Sequence, residues 1–534
     1  EGCLITEQEV ANICVKRLKG GKSDGLTDVF SDHFSHGTRL LFIMLRNLIN
    51  MIIIHGVSTS DMLTGTLIPI PKNKRINCNT SDNFRGICLQ SIVCKIIDLF
   101  ILDKEGSHLC SSNLQFGFKA GHSTDLAASI VSETVDYFVN NGGKVYMLAL
   151  DASKAFDRVE FCKLFEILIE RDCDPLYVRS LMNMYVKQNM RVNFNNNFSA
   201  SFGITNGVKQ GGVLSPVLFS CYIDKLLSKL SEQNFGCKVG DIYTGSIGYA
   251  DDVVLLAPTI SALKCQIGIA EQFAVEHCIK FNGKKSQIIC FGKNCNDLIN
   301  INVKVGGEQI KVVDNLVYLG HHIVCDRNDS LTSHIRQDFA CKINGVLADF
   351  TNISSHVKHS LVEKYCLSLY GINFCDFSNV EKMELVYKQW RKSVRRIWGL
   401  PPRAHSRYLP FIYDGLPLDL IIMKRFLNFY KSGLLSKNPV VAFIFQNAAY
   451  SYSRLGRNLK FLLASDSNIN RNIIVNFDTE KVLSNAKCQW LKSISDEDLR
   501  IVCQLKELIG NRDGHCGPLK PDECQLTINN LAVS

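Results

Sequence analysis

Two adjacent aspartates, Asp251 and Asp252, interrupt an otherwise apolar pair of segments, Ser246–Tyr249 and Val253–Ala257. Both flanks read as short strands, so the acidic pair falls in the turn between them. Asp-Asp also suits an ordinary tight turn. Between two apolar strands, however, neighbouring like charges are costly unless a cation balances them. A third carboxylate, Asp151, directly follows Lys144–Leu150 (KVYMLAL), whose β-branched, aromatic and apolar residues read as another strand. If these strands are neighbours in one sheet, the carboxylates meet at its edge. Magnesium takes hard oxygen ligands, commonly one or two carboxylates plus substrate phosphate. Two-metal phosphoryl transfer needs such carboxylates close together. The pattern therefore points to metal binding.

The 534 residues allow two to four structural units, and 46% apolar residues allow a large packed core. A net charge of +9 suits a polyanionic partner, and equally suits a chain with a mild surface excess. The 22 cysteines do not fall at short regular spacings, which excludes a small disulfide scaffold and favours reduced thiols in the cytoplasm or nucleus. No secretory signal is visible, and the start at Glu1 reads as a fragment of something longer. The apolar run Leu40–Ile54 is too short and too interrupted to span a bilayer. It reads as a buried helix ending at His55-Gly56, and no membrane partner is expected.

Helical patterns fill the first 60 residues. Thr66–Lys72 reads as a short strand stopped by proline, Leu126–Phe138 and Phe161–Glu170 as helices, and Asn206–Pro216 as a glycine-rich loop before a helix over Val217–Leu230. Leu263–His277 reads as a helix, and Leu316–Ile323 as a strand. Beyond about residue 340 the pattern is helical, with 451–475 the one linker-like stretch. The expected fold class is α+β with helical units appended.

These residues resemble a known family, the reverse transcriptases of non-LTR (LINE-type, jockey-like) retrotransposons. The matching boxes run in the family's order: Leu67–Lys72 (LIPIPK), Asn83-Phe84-Arg85, Gln115–Thr124 (QFGFKAGHST), Leu150–Asp157 (LDASKAFD), Gly207–Pro216 (GVKQGGVLSP), Gly248–Asp252 (GYADD), Phe281–Ser286 (FNGKKS) and Tyr318-Leu319-Gly320. The resemblance implies a right-hand polymerase with fingers, an antiparallel palm sheet and a helical thumb. Its implied boundaries are a helical extension over 1–60, fingers and palm over 61–340, a basic thumb over 341–430, and a helical region of unknown role over 431–534.

The resemblance also implies roles. Asp151, Asp251 and Asp252 would be the catalytic and metal-binding carboxylates, holding two Mg2+ ions with Mn2+ as a substitute. Lys72 and Arg85 would hold the triphosphate, a task that suits a guanidinium fork. Phe156 would exclude a 2′-hydroxyl and so select dNTPs. Gln210 and Gly211 would lie under the nascent base pair, and Lys284 (or Lys285) near the leaving pyrophosphate. Tyr318 and Gly320 would grip the primer. Three departures stand out. Arg85 is followed by Gly86-Ile87-Cys88 instead of the usual proline-bearing sequence, which should loosen the fingers. Lys119 and His122 replace common arginines, which should weaken a phosphate-facing patch. Gly283 falls where proline or lysine is usual.

Residues 381–430 hold ten basic residues against four acidic ones, with Tyr387, Trp390, Trp398 and Tyr408 among them. Lys388, Arg391, Lys392, Arg395 and Arg396 share helical spacing, which suits a helix following a template–primer backbone. Cys488, Cys503, Cys516 and Cys524, with His515, lack the paired spacing of a zinc site and read as buried thiols. The expected function is RNA-directed DNA polymerisation from a primer 3′-hydroxyl, with RNA template, DNA primer or target, and dNTPs as partners. An endonuclease would lie upstream in the full-length polyprotein. The rival reading is a catalytically inactive nucleic-acid-binding remnant. An intron maturase or telomerase fits the Ala-Phe-Asp and Gly-Val-Lys-Gln-Gly-Gly boxes less well.

Overall fold

The computed structural model describes residues 4–25, 29–72, 79–293, 303–325, 330–464 and 477–495, together with 498, 500–502 and 505–506. In chain order its leading elements are helix α1 (Arg39–His55), strands β1 (Thr64–Pro71) and β2 (Phe84–Leu89), helices α2 (Ile92–Glu105) and α3 (Thr124–Asn140), and strands β3 (Val145–Leu150) and β4 (Asn189–Phe194). Helix α4 (Ser215–Gln233), strands β5 (Ser246–Tyr249) and β6 (Asp252–Ala257), and strand β7 (Gln287–Phe291) follow. The fold is α+β with antiparallel sheets and a helical C-terminal region, as expected.

The apolar run Leu40–Ile54 is a helix ended by Gly56 at φ +65°, but it is not buried all round. Leu45, Ile49, Ile52 and Ile53 face the core, whereas Leu40, Met44, Met51 and Ile54 are exposed. A helix that packs on one side hides one stripe, so continuous apolarity leaves the opposite face in solvent. Among the described residues no helix is long and apolar enough to cross a membrane.

β1 is longer than expected and runs through both of its prolines. It pairs antiparallel with β2 from Thr66 to Pro71, and parallel with β4 only from Thr64 to Leu67. Lys72 N–H donates to Asn83 O on the β2 side, so by alternation the donor-less nitrogens of Pro69 and Pro71 face the side that β4 has already left. Proline is tolerated there because no ladder bond is lost. β2 pairs residue by residue with β1 along Phe84–Leu89, and a Cβ at Gly86 would stand 2.8 Å from Leu67 Cδ2.

The second sheet has the order Lys311–Val312, β7, β3, β6, β5. Its central strands carry near-continuous apolar sequence, and Val145–Leu148 and Val253–Ala257 are buried. Such strands are covered on both faces, which explains why they do not alternate. Beside β5, Gln115 forms a parallel bridge with Gly248, so the segment around it extends the sheet edge.

The C-terminal helices share one apolar core with this sheet. The stretch read as a linker contains a helix, Arg454–Leu463. Its amino end docks on α3: Arg454 N–H donates to Asp136 Oδ2 at 2.8 Å and Leu455 N–H to Glu133 Oε1 at 3.4 Å. Acidic groups suit the positive end of a helix. Burial, with Asp136 beside it, pushes the Glu133 carboxyl up to about 8. Of the C-terminal cysteines, Cys503, Cys516 and Cys524, with His515, lie outside the described residues.

One buried carboxylate fixes the segment that reaches β5. Asp224, on α4, accepts Ser112 N–H on both oxygens (2.9 and 3.0 Å) and Arg171 Nη2 at 3.0 Å. Arg171 Nη1 donates to Cys110 O at 2.6 Å, and Lys119 Nζ to Ser111 O and Ser112 O at 2.7 and 2.6 Å. Lys119 thus fastens its own loop, and His122 contacts Asn438 at 3.3 Å. Removing one partner of a buried pair strands the other charge. Asp224→Ala should therefore lower unfolding free energy by about 3 kcal/mol, read as an earlier urea midpoint at unchanged slope.

Candidate active site

β3 and β6 pair antiparallel with Leu150 opposite Val253, and β6 pairs with β5 with Asp252 opposite Tyr249. One step along the first register sets Asp151 across from Asp252. The turn residue Ala250 has φ +57°, the left-handed conformation that lets the chain reverse with Asp251 and Asp252 at its tip. Three carboxylates from two separate stretches therefore share one end of the sheet. Partial desolvation, with Asp251 and Asp151 beside it, pushes the Asp252 carboxyl up to about 6. Burial and Asp151 raise Asp251 too, while Arg85 draws it down.

Asp151 is strapped in place by the segment before β7. Its N–H donates to Ser286 Oγ at 3.2 Å, and its carbonyl accepts Asn282 N–H at 2.9 Å. Ser286 Oγ in turn donates to Asn282 O at 2.8 Å. The turn thus held carries both candidate lysines. Lys284 is mostly exposed, and its ammonium lies 3.6 Å from Glu308 Oε1. Lys285 instead acts, with Lys72 and Lys154, on the Asp82 carboxyl, which all three draw down, Lys154 most strongly through a 2.7 Å ion pair.

Phe156 lies in the short turn after Asp151. Its ring stacks on Phe219 with centroids 4.3 Å apart and meets Phe118 edge-on at 6.1 Å. Gln210 ties two elements together: its carbonyl accepts Cys88 N–H at 2.6 Å, and Nε2 donates to Asp157 Oδ1 at 3.1 Å. Gly211 sits at φ +104°, where a Cβ would stand 3.1 Å from Cys88 O, so both conformation and space call for glycine.

Tyr318 and Gly320 belong to a hairpin of Asn315–Tyr318 and His321–Val324. Tyr318 is buried, and Asp252 contributes to raising its hydroxyl well above the usual range. The hairpin therefore lies beside the carboxylates. Tyr370, from the helical region, donates to Leu319 O at 2.6 Å and leaves room at Gly320 for no side chain without a 3.0 Å contact. The basic helix α5 (Val380–Ile397) divides its cations. Lys388, Lys392 and Arg396 are exposed at four-residue intervals. Arg391 pairs with Glu384, and Arg395 donates to Ala404 O at 2.7 and 3.0 Å and to Ser406 Oγ at 3.0 Å.

Among the described residues no three His, Cys, Asp or Glu side chains close into a cage able to hold a metal ion unaided. The aspartates fit a more open arrangement, in which two carboxylates share a cation with substrate oxygens. Asp251 and Asp252, whose carboxyls are raised by desolvation and by neighbouring carboxylates, would be drawn back down by a cation, which supports that fit. Sequence reasoning had assigned no role to Gln115, Lys154 or Ser286. The signal that could have found Gln115 is the glycine two residues on, Gly117, where a Cβ would stand 2.3 Å from Ala250 N.

Residues 70–323 match the family described as Reverse transcriptase (RNA-dependent DNA polymerase). The chain is 27% identical over 327 residues to the Retrovirus-related Pol polyprotein from type-2 retrotransposable element R2DM of Drosophila melanogaster, covering 59% of this chain and 30% of that protein. It is 28% identical to the corresponding type-1 retrotransposable element R2 polyprotein of Nasonia vitripennis, covering 53% and 26%. It is 23% identical to the RNA-directed DNA polymerase from mobile element jockey of Drosophila melanogaster, covering 76% and 45%. The chain thus spans less than half the length of each of these relatives. A telomerase from Candida albicans, solved with a fragment of telomeric RNA, is similar at TM-score 0.38 and 11% identity, covering 84% of this chain and 66% of that one.

The crowding of carboxylates has a measurable consequence. A carboxyl raised to about 6 in the folded chain binds its proton more tightly than in the unfolded chain, so stability falls as pH rises from about 4 to 6 and then levels. Asp252→Asn removes this penalty. With chelator present, the variant should melt higher than the parent at pH 7 and equal to it near pH 4, as read by differential scanning fluorimetry.

Proposed function

We propose that this chain, which carries a reverse transcriptase domain of the non-LTR retrotransposon kind, is an RNA-directed DNA polymerase that extends a primer 3′-hydroxyl on an RNA template. The observation that carries the reading is the register of β3 on β6, which gathers Asp151, Asp251 and Asp252 at one sheet end. When bound there, divalent cations supply charge stabilisation for attack of the 3′-hydroxyl on the dNTP α-phosphate. Asp151 and Asp251 would hold them, with Asp252 supporting.

The chain's own residues do the rest. Arg85, close enough to act on Asp251, lies over the triphosphate with Lys72. Lys285 takes the place near the leaving pyrophosphate in preference to Lys284, whose ammonium turns to Glu308. Phe156, backed by Phe219 and Phe118, is too well supported to swing aside and blocks a 2′-hydroxyl. The Gln210-Gly211 turn supports the nascent pair. Tyr318 and Gly320 set the primer end. On the thumb helix the exposed row Lys388, Lys392 and Arg396 meets the nucleic-acid backbone, while Arg391 and Arg395 brace the helix itself. In this reading 61–340 forms fingers and palm and 341–430 the thumb, with 1–60 as an extension and 431–534 as a helical annex.

Primer extension on an RNA template with dNTPs and magnesium tests the proposal. The unmodified chain should extend. Asp251→Asn should lose several kcal/mol of transition-state stabilisation, about 10³-fold in rate. No extension by the unmodified chain would leave only the nucleic-acid-binding reading. In the same assay Phe156→Val should reduce discrimination against rNTPs by about 10- to 100-fold, through loss of one bulky contact.

A further inference from the structure

We infer that Gln115 is the positioning residue of the carboxylate turn, a role that rests on the polymerase reading of that turn. Gln115 is fully buried. Its neighbours lock it against β5: Phe116 N–H donates to Gly248 O at 2.7 Å, and Gly248 N–H to Leu114 O at 2.9 Å. Its side-chain Oε1 accepts Ala250 N–H at 2.9 Å and Gly117 N–H at 2.8 Å. Both groups need an acceptor, which settles which end of the amide is oxygen. Nε2 then points to Ala250 O at 3.4 Å.

The need for this clamp follows from Ala250. The left-handed conformation is unfavourable for an L-residue with a Cβ by roughly 1–2 kcal/mol. Ala250 is also 6% exposed, so its peptide groups have little access to water where the ladder ends. A primary amide presents an acceptor and a donor on one planar fork able to serve both, with no charge to bury beside the aspartates. Close approach is guaranteed by Gly117, where a Cβ would stand 2.3 Å from Ala250 N. Behind Gln115, Asp224 on α4 holds Ser112 through both carboxylate oxygens. Position thus passes from α4 through Ser112 and Gln115 to Ala250, and so to Asp251 and Asp252.

Gln115→Met keeps the bulk and removes both polar ends. Primer extension, with magnesium titrated and active sites counted by primer–template binding, should show kcat down about 100-fold, since small misplacement of reacting groups costs that much. Half-saturating magnesium should rise about 10-fold, as for outer-shell partners of metal ligands. The KM for dNTP should stay within about 3-fold, because the nucleotide contacts lie elsewhere. A merely structural role would lower the count of active sites without moving kcat per site or the magnesium midpoint. Gln115→Glu keeps the acceptor and should recover at least about 10-fold over the methionine variant. Hydrogen exchange over residues 246–254 reads the clamp without turnover: the Ala250 amide should be protected in the parent and exchange at least about 10-fold faster in Gln115→Met. Parental kcat and magnesium midpoint in Gln115→Met, or unchanged exchange there, would overturn the inference. A parent that extends no primer would overturn the polymerase reading instead, and the exchange comparison would still decide the clamp.

Discussion

Antiparallel pairing of β3 with β6 is the constraint on which the site depends. Leu150 lies opposite Val253, and that register alone brings Asp151 beside a turn about 100 residues later in the chain. A slip of one residue would reverse the faces of every side chain in the strand. Both strands are packed on both faces, so a slipped register would expose none of its error to solvent and would have to repack the whole centre of the sheet. The apolar run that makes these strands hard to read by alternation is thus what makes their register hard to lose.

The stability gathered in that core is spent against the site. Like charges are held together at one sheet end, and Ala250, Lys154 and Leu319 adopt left-handed conformations in the three turns nearest to it. Each of these is unfavourable in isolation and persists only where surroundings over-determine it. The C-terminal helices contribute to that surrounding. Tyr370 holds the Leu319 turn, and the helix beginning at Arg454 rests on Glu133 and Asp136 of α3. A region whose sequence shows only helical periodicity is therefore continuous with the packing that supports the carboxylates.

Local features were legible in the sequence. Strand runs, glycine turns and the aspartates all carry their signal within a few residues, and the ordered boxes made their assembly legible as a resemblance. What was not legible depends on partners far away in the chain. Nothing near Arg395 reveals that Ala404 and Ser406 occupy its guanidinium, and nothing near Lys284 reveals Glu308. The prolines of β1 read as a stop because the sequence does not show that β4 leaves their side of the strand at Leu67. The Leu40–Ile54 run read as fully buried because apolarity reports what can be buried, not how many neighbours arrive to bury it.

The carboxylate turn and the Gln210-Gly211 turn are built alike. The carboxylate turn is held by Gln115, and the Gln210-Gly211 turn is followed by Val213 and Leu214, whose N–H groups are bonded to Asp98 on α2. Burial, stronger than these bonds and the nearby Lys209, pushes the Asp98 carboxyl up to about 6. In each case a buried polar side chain supplies hydrogen bonds that the turn's backbone cannot make for itself. Turns that must present groups to a ligand cannot bury their own faces, so their rigidity has to come from behind. Polar groups suit that task better than apolar ones, because a hydrogen bond fixes direction as well as distance. The scaffold behind the turns, Gln115 beside β5 and Asp98 on α2, is accordingly where a second set of sensitive residues lies.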